Sequence, residues 1–188
     1  VKELLGDSVR YAMQNIFQGA VIYMDITCVI LAAGQGTRMK SELPKVLHSV
    51  CGRALVEHVI NACRDMGEPV VIVGNGSRKV KELLGDSVRY AMQEKRLGTG
   101  HAVMECFRQQ DINTEYTLVC AGVMPLIKAQ TLERLCDRAA GMGACVLSAN
   151  MDNPFGYGRI LRNEDGTFAK IVEQKDASPQ QALVKEVN

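Results

Sequence analysis

The sequence predicts an α/β fold, a mostly parallel sheet with helices on both faces. Three observations predict it. Short apolar runs recur without polar alternation, as strands buried on both faces require. Between them lie stretches with apolar residues at helical spacing. Glycine closes most of these segments, where a chain must turn sharply.

Taken in order, Ile26–Ala33 is a continuous apolar run ending at Gly34 and reads as the first buried strand. Leu55–Met66 places Leu55, Val56, Val59, Ile60 and Cys63 on one face of a helix. Pro69–Val73 is the second strand, closed by Gly74. Arg78–Leu84 is a short helix stopped by Gly85, and Val88–Met92 is the third strand. Gly98–Arg108 is helical and Tyr116–Ala121 is the fourth strand. Ala129–Ala140 is a helix with Leu132, Leu135 and Cys136 inward, stopped by Gly141. Ala144–Ala149 reads as a fifth strand. Tyr157–Leu161 and Thr167–Val172 form two strands around the Glu164-Asp165-Gly166 turn, and a further helix begins at Pro179.

Residues 1–14 and 80–93 are identical letter for letter, VKELLGDSVRYAMQ. Solenoid repeats diverge and recur several times. A single perfect copy is instead expected of a duplicated piece of gene. Met24 then reads as the natural start, residues 1–23 as an appendage and residues 24–188 as the functional domain. The duplicated segment also offers a route to strand exchange and a homo-oligomer.

Composition narrows the function. The chain has 188 residues, 47% hydrophobic and 23% charged, with a net charge of +1. That balance gives no electrostatic case for nucleic acid or an anionic membrane. No run approaches the roughly 18 apolar residues of a membrane span, and no secretory leader opens the chain. Seven cysteines without a CxxC pair point to a reducing cytoplasm rather than a disulfide framework or a zinc site. The three histidines form no ligand motif and read as surface or satisfied core residues.

In parallel sheets the ligand sits beyond the carboxyl ends of the strands. After the first strand comes Leu31-Ala32-Ala33-Gly34-Gln35-Gly36-Thr37-Arg38-Met39, followed by Pro44-Lys45. Small residues let the backbone approach a ligand, and loop amides can cradle phosphate oxygens. GxxxxGK[ST] is absent, and Met39 stands where a dinucleotide fingerprint needs its third glycine. Arg38 and Lys45 supply the cations that a crowded triphosphate needs. After the third strand come Gln93 and Leu97-Gly98-Thr99-Gly100-His101-Ala102. A glutamine amide offers one donor group and one acceptor, suited to the edge of a base, although alone it would read as an exposed strand end.

LAAGxGTRM with a following PK resembles the signature of sugar-phosphate nucleotidyltransferases. Gln93 with LGTGHA, then Phe155-Gly156-Tyr157-Gly158-Arg159-Ile160, Ile171-Val172-Glu173-Gln174-Lys175-Asp176-Ala177 and Glu186-Val187-Asn188, follow in the order of the uridylyltransferase domain of bacterial GlmU enzymes. The resemblance spans Met24 to Asn188 and implies a Rossmann-like sheet of the nucleotide-diphospho-sugar transferase type. It implies UTP and N-acetylglucosamine 1-phosphate as substrates and UDP-N-acetylglucosamine, a peptidoglycan precursor, and pyrophosphate as products. It gives Arg38 and Lys45 the catalytic, triphosphate-binding role. Leu31, Ala32, Ala33, Gly34, Lys45, Gln93, Gly98 and Thr99 become nucleotide-binding residues, and Gly158, Glu173 and Asn188 sugar-binding ones.

The resemblance also implies Mg²⁺, with a departure. The family has an aspartate ligand where this chain has Val123, between Gly122 and Met124-Pro125-Leu126-Ile127. Valine offers no oxygen to a hard cation. The family domain also continues past the EVN motif, so residues 24–188 are expected to be a truncated domain with impaired turnover. The competing expectations are a non-catalytic fragment that binds uridine nucleotides, and a transferase for another nucleotide or sugar phosphate.

Overall fold

A computed structural model of the chain describes residues 11–14, 21–34, 36, 39–74 and 77–188. Two compact units divide between Arg134 and Leu135.

In the first unit a hairpin of β1 (Tyr11–Gln14) and β2 (Val21–Met24) precedes β3 (Ile26–Leu31). A short hairpin, β4 (Ser49–Val50) and β5 (Arg53–Ala54), leads into α1 (Leu55–Cys63). Then follow β6 (Val70–Val73), α2 (Arg78–Leu84), β7 (Arg89–Met92), α3 (Thr99–Gln109), β8 (Tyr116–Ala121) and α4 (Ala129–Ala139), which runs across the boundary. The four-stranded sheet has the order β7-β6-β3-β8 and is parallel throughout.

Alternation along β3 assigns its two faces. Val29 joins Val70, Ile72 and Ala91 beneath Ala102 and Cys106 of α3. Cys28, on the opposite face, points its thiol toward the Cys63 carbonyl at the end of α1. Cys120 of β8 bonds to the Cys63 thiol, and that bond together with burial pushes the Cys120 thiol far above its usual range. These buried thiols act as small hydrophobes. Cys28, Val29 and Ile30 are wholly buried, and burying a Val or Ile side chain stabilises by about 1.5–3 kcal/mol. Glu57 begins α1 by accepting from the Ala54 N–H at 2.7 Å, half of a capping box.

The two copies of the repeat can be compared in part. In the second copy, Val80 and Leu84 bury one face of α2 and Ala91 sits in β7 at the sheet edge. Residues 1–10 of the first copy lie outside the described residues. Its Tyr11–Gln14 pairs with Val21–Met24 and is not one of the four parallel strands. No described helix is long and apolar enough to cross a membrane.

The second unit carries an antiparallel sheet in the order β11-β10-β12-β9, from β9 (Ala149–Asn150), β10 (Arg159–Arg162), β11 (Phe168–Val172) and β12 (Glu186–Val187). The expected strand over Ala144–Ala149 is not found. Residues 144–148 are exposed and irregular, and only Ala149–Asn150 pairs, antiparallel to β12. An apolar run signals strand propensity, but it becomes a strand only where a neighbouring edge meets its backbone. A capping box at Ser178 and Gln181 opens α5 (Pro179–Ala182), as the proline there predicts.

Glu186 fastens this sheet. Arg162 grips both its carboxylate oxygens at 2.7 Å, and Ser148 donates to Oε1 at 2.7 Å. These bonds, the arginine's foremost, hold the Glu186 carboxyl down at about 2 against an ordinary 4.5. The stabilisation is fully present above the ordinary value and is lost as pH falls toward 2. Only 19% of the Glu186 side chain is exposed, against 48% for Arg162, so solvent screens the pair in part. Glu186→Gln should lower the thermal midpoint at pH 7, and the gap from the parent chain should close between about pH 4.5 and 2. Melts across that range check this; a constant gap contradicts it.

Candidate nucleotide and sugar sites

The parallel register brings three loops to one edge. β3, β6, β7 and β8 end near Leu31, Val73, Met92 and Ala121. The pairing extends just past the strands: Ala32 N–H donates to the Ile72 carbonyl, Gln93 N–H to Val73, and Gly122 N–H to Leu31. Leu31 and Ala32 are therefore held on the sheet. Gly34 leaves it exposed, with open space where a Cβ would stand.

Close backbone approach builds this edge. A Cβ on Gly122 would lie 2.9 Å from the Leu31 carbonyl oxygen and 3.3 Å from Val46. Gly36 has φ +64°, and a Cβ there would lie 2.6 Å from the Lys45 Cβ. Gly36 thus sits directly on the lysine stem, and the glycine loop and Lys45 are neighbours although nine positions apart in sequence. Lys45 opens a single 3₁₀ turn, Lys45–Leu47, whose preceding residue is Pro44. No carboxylate pairs with its ammonium among the described residues. Arg38, the other expected cation, lies outside the described residues.

Gln93 is 4% exposed, immediately after β7. Its Nε2 donates to the Gly98 carbonyl at 3.0 Å and meets His101 Nδ1 at 3.2 Å. Gly98, at φ +103°, precedes α3, and Thr99 is the first residue of that helix. No side chain caps this end, so the first-turn N–H groups are open to an acceptor at the positive end of the helix dipole. The expected strand-end glutamine is therefore buried and bonded.

Val123 follows Gly122 in the turn after β8, so the frame around it is kept. Its side chain has no oxygen. Among the described residues no group of three His, Cys, Asp or Glu side chains converges to hold a metal. At Val123 the chain therefore offers a Mg²⁺ no carboxylate oxygen. A separate cavity of about 350 Å³, lined by Arg53, Glu57, Asn61, Arg64 and Ser87 among others, contains none of the expected site residues.

In the second unit the three expected sugar residues come together. A Cβ on Gly158 would lie 2.9 Å from Ile171 and 3.8 and 3.9 Å from the two Glu173 carboxylate oxygens. Asn188 N–H donates to the Gly158 carbonyl at 3.0 Å. Glu173 and Asn188 are exposed. What holds this cluster is Arg159, a residue the sequence did not single out. It is 1% exposed. Its guanidinium donates to the Tyr157 carbonyl, to Gln174 Oε1 at 2.7 Å and to the Ala182 carbonyl at 3.4 Å. Gln174 Oε1 also accepts from Gly156 N–H at 3.0 Å. The arginine thereby ties the Phe155–Gly158 loop to the turn after Glu173. Its position between Gly158 and Ile160, a charge entering an apolar strand, was the available signal. His101, the fifth residue of the LGTGHA segment, lies three residues after Gly98, close to one helical turn along α3.

With this geometry in view, comparison with known proteins is direct. Residues 28–181 match the family model of the MobA-like NTP transferase domain. The bifunctional protein GlmU of Pediococcus pentosaceus is 50% identical over 169 residues, 88% of this chain and 36% of that protein. The GlmU of Geobacillus thermodenitrificans is 50% identical over 164 residues, covering 85% and 36%. That of Exiguobacterium sibiricum is 49% identical over 169 residues, covering 88% and 38%. The chain thus spans little more than a third of the length of these curated relatives. A Bacillus anthracis crystal structure that carries the name of a glucose-1-phosphate thymidylyltransferase superposes with a TM-score of 0.67 at 20% identity, over 86% of this chain and 68% of that one, and shows the same α/β fold. By its matched domain and its homology to the N-terminal nucleotidyltransferase domain of bacterial GlmU, the chain belongs to the MobA-like NTP transferase family.

Proposed function

We propose that the chain is a uridylyltransferase domain that joins UTP to N-acetylglucosamine 1-phosphate, giving UDP-N-acetylglucosamine and pyrophosphate, with turnover depressed by Val123. The observation that carries the uracil reading is the state of the Gln93 amide. Both Nε2 hydrogens are spent on Gly98 and His101, and no described residue donates to Oε1. The polar end left for a ligand is an acceptor, which suits the N3–H of uracil and opposes the bare N3 of cytosine.

In this reading Leu31, Ala32, Ala33 and Gly34 meet the nucleotide through their backbone, and Gln93, Gly98 and Thr99 frame the base. Arg38 and Lys45 bind the triphosphate. Gly158, Glu173 and Asn188 receive the sugar, where a carboxylate and an amide suit hydroxyl and acetamido groups. An oxygen of the sugar phosphate attacks the α-phosphorus in line. The bond to the leaving pyrophosphate breaks, and no covalent intermediate forms on the protein. Positioning and cationic stabilisation by Arg38 and Lys45 supply what this chain contributes to the rate. Mg²⁺, which the family resemblance implies, would supply charge neutralisation at the triphosphate; this chain offers it no side-chain oxygen at Val123. That same residue favours the second reading, a module that binds uridine nucleotides with little turnover. Residues 1–23 take no part in either reading.

Two outcomes follow. Gln93→Ala should weaken UTP binding by about 1–2 kcal/mol, the scale of a hydrogen bond left unmade in a site. Calorimetric titration with UTP and CTP checks this, and equal affinities in the parent chain sink the uracil assignment. Val123→Asp should raise pyrophosphate release from UTP and N-acetylglucosamine 1-phosphate across a Mg²⁺ titration. If the valine form already works at the rate of the aspartate form, the proposed impairment is wrong. If neither form releases pyrophosphate while both bind UTP, the binding-module reading replaces the enzyme.

A further inference from the structure

We propose that His101 is a positioning residue that fixes which end of the Gln93 amide faces the base, and so sets the choice between uracil and cytosine. The inference rests on the reading that Gln93 faces the base.

The assignment of hydrogens at this point is forced by chemistry. The Gly98 carbonyl, 3.0 Å from the Gln93 amide, can only accept, so the atom facing it is the nitrogen. The second hydrogen on that nitrogen meets His101 Nδ1 at 3.2 Å. Nδ1 must then be the bare ring nitrogen, and the proton sits on Nε2. The surroundings favour that tautomer. His101 Nε2 lies 3.7 Å from Glu105 Oε1, one helical turn along α3. Glu105 is held in turn: Arg108 donates to Oε1 at 2.6 Å, and Gln109 Nε2 to Oε2 at 3.4 Å.

The chain of contacts closes on the strand from which Gln93 departs. Gln109 Oε1 accepts from Met92 N–H at 2.8 Å, and its Nε2 donates to the Met92 carbonyl at 2.7 Å. The end of β7 and the face of α3 are thereby joined twice, once through Gln109 at Met92 and once through His101 at Gln93. Between these joints runs Glu105, which Arg108 also holds. A flipped Gln93 amide would set its oxygen against both the Gly98 oxygen and the Nδ1 lone pair. With His101 in place, Oε1 is the end presented outward, and a base with an N–H at that position is preferred.

The variants isolate the acceptor from the shape. Asn places Oδ1 where His101 has Nδ1, and Leu places a methyl group there. UTP and CTP affinities are measured by calorimetry on the full chain and on His101→Leu and His101→Asn. The parent chain should prefer UTP. His101→Leu should lose about fivefold of that preference, the scale of one hydrogen bond, chiefly through tighter CTP binding. His101→Asn should retain it. A parent chain without preference removes the uracil reading and this inference together. A parent preference that survives in His101→Leu, or is lost equally in His101→Asn, overturns the inference and leaves the uracil reading standing. Independently of any variant, ¹⁵N NMR of the His101 ring should show the proton on Nε2; a proton on Nδ1 overturns the proposal.

Discussion

The structure of the carboxyl edge of the sheet depends on the parallel pairing of β3 with a strand on each side. β3 is matched to β8 over its whole length and to β6 over its second half. In a strand buried on both faces, a slip of one residue would exchange Val29 and Cys28 between α3 and α1. The register is therefore fixed by packing as well as by hydrogen bonds. It decides where the sheet stops, and so where the loops after β3, β7 and β8 emerge. Gly122 lets the third of these loops lie against the Leu31 carbonyl. Gly36 lets the first close onto Lys45. The loops converge because the strands beneath them end together.

A buried amide at such an edge is costly unless its polar atoms are matched. Leaving one unmade bond on a buried group costs about 1–3 kcal/mol. Gln93 satisfies its nitrogen through the helix entry at Gly98 and through His101. Its oxygen is the end left for a ligand donor. Specificity in the proposed site thus comes from incomplete satisfaction: the protein completes one end of the amide and leaves the other to the base. The second unit solves a different problem. Arg159 buries a full charge without a carboxylate partner among the described residues, surrounded by carbonyl oxygens from three segments. Those bonds tie the Phe155–Gly158 loop to the turn after Glu173.

The parts of the fold that were legible in the sequence are those in which local pattern and tertiary setting agree. Val70–Val73 is apolar throughout because both faces of the sheet are covered. Gly85 stops α2 with φ +54°, a conformation open to glycine at no steric cost. Ala144–Ala149 failed because apolar character says nothing about which edge receives a strand. That the glycine loop and Gln93 follow the ends of parallel strands was legible from their order along the chain. The bonds of Gln93 were not, since they depend on the backbone turn at Gly98 and the helical phase of His101. Arg159 escaped notice for a similar reason. Its burial is permitted by carbonyls at Tyr157 and Ala182, which no local pattern announces.

The proposed nucleotide site is the carboxyl edge of the parallel sheet. Backbone amide chemical shifts of the ¹⁵N-labelled chain, followed through a UMP titration, test it most directly because they need neither turnover nor a metal. The largest shifts should cluster at Ala32, Ala33, Gly34, Gln93, Gly98 and Thr99. Shifts centred instead on the Arg53–Arg64 cavity, or on no contiguous set of residues, would contradict it.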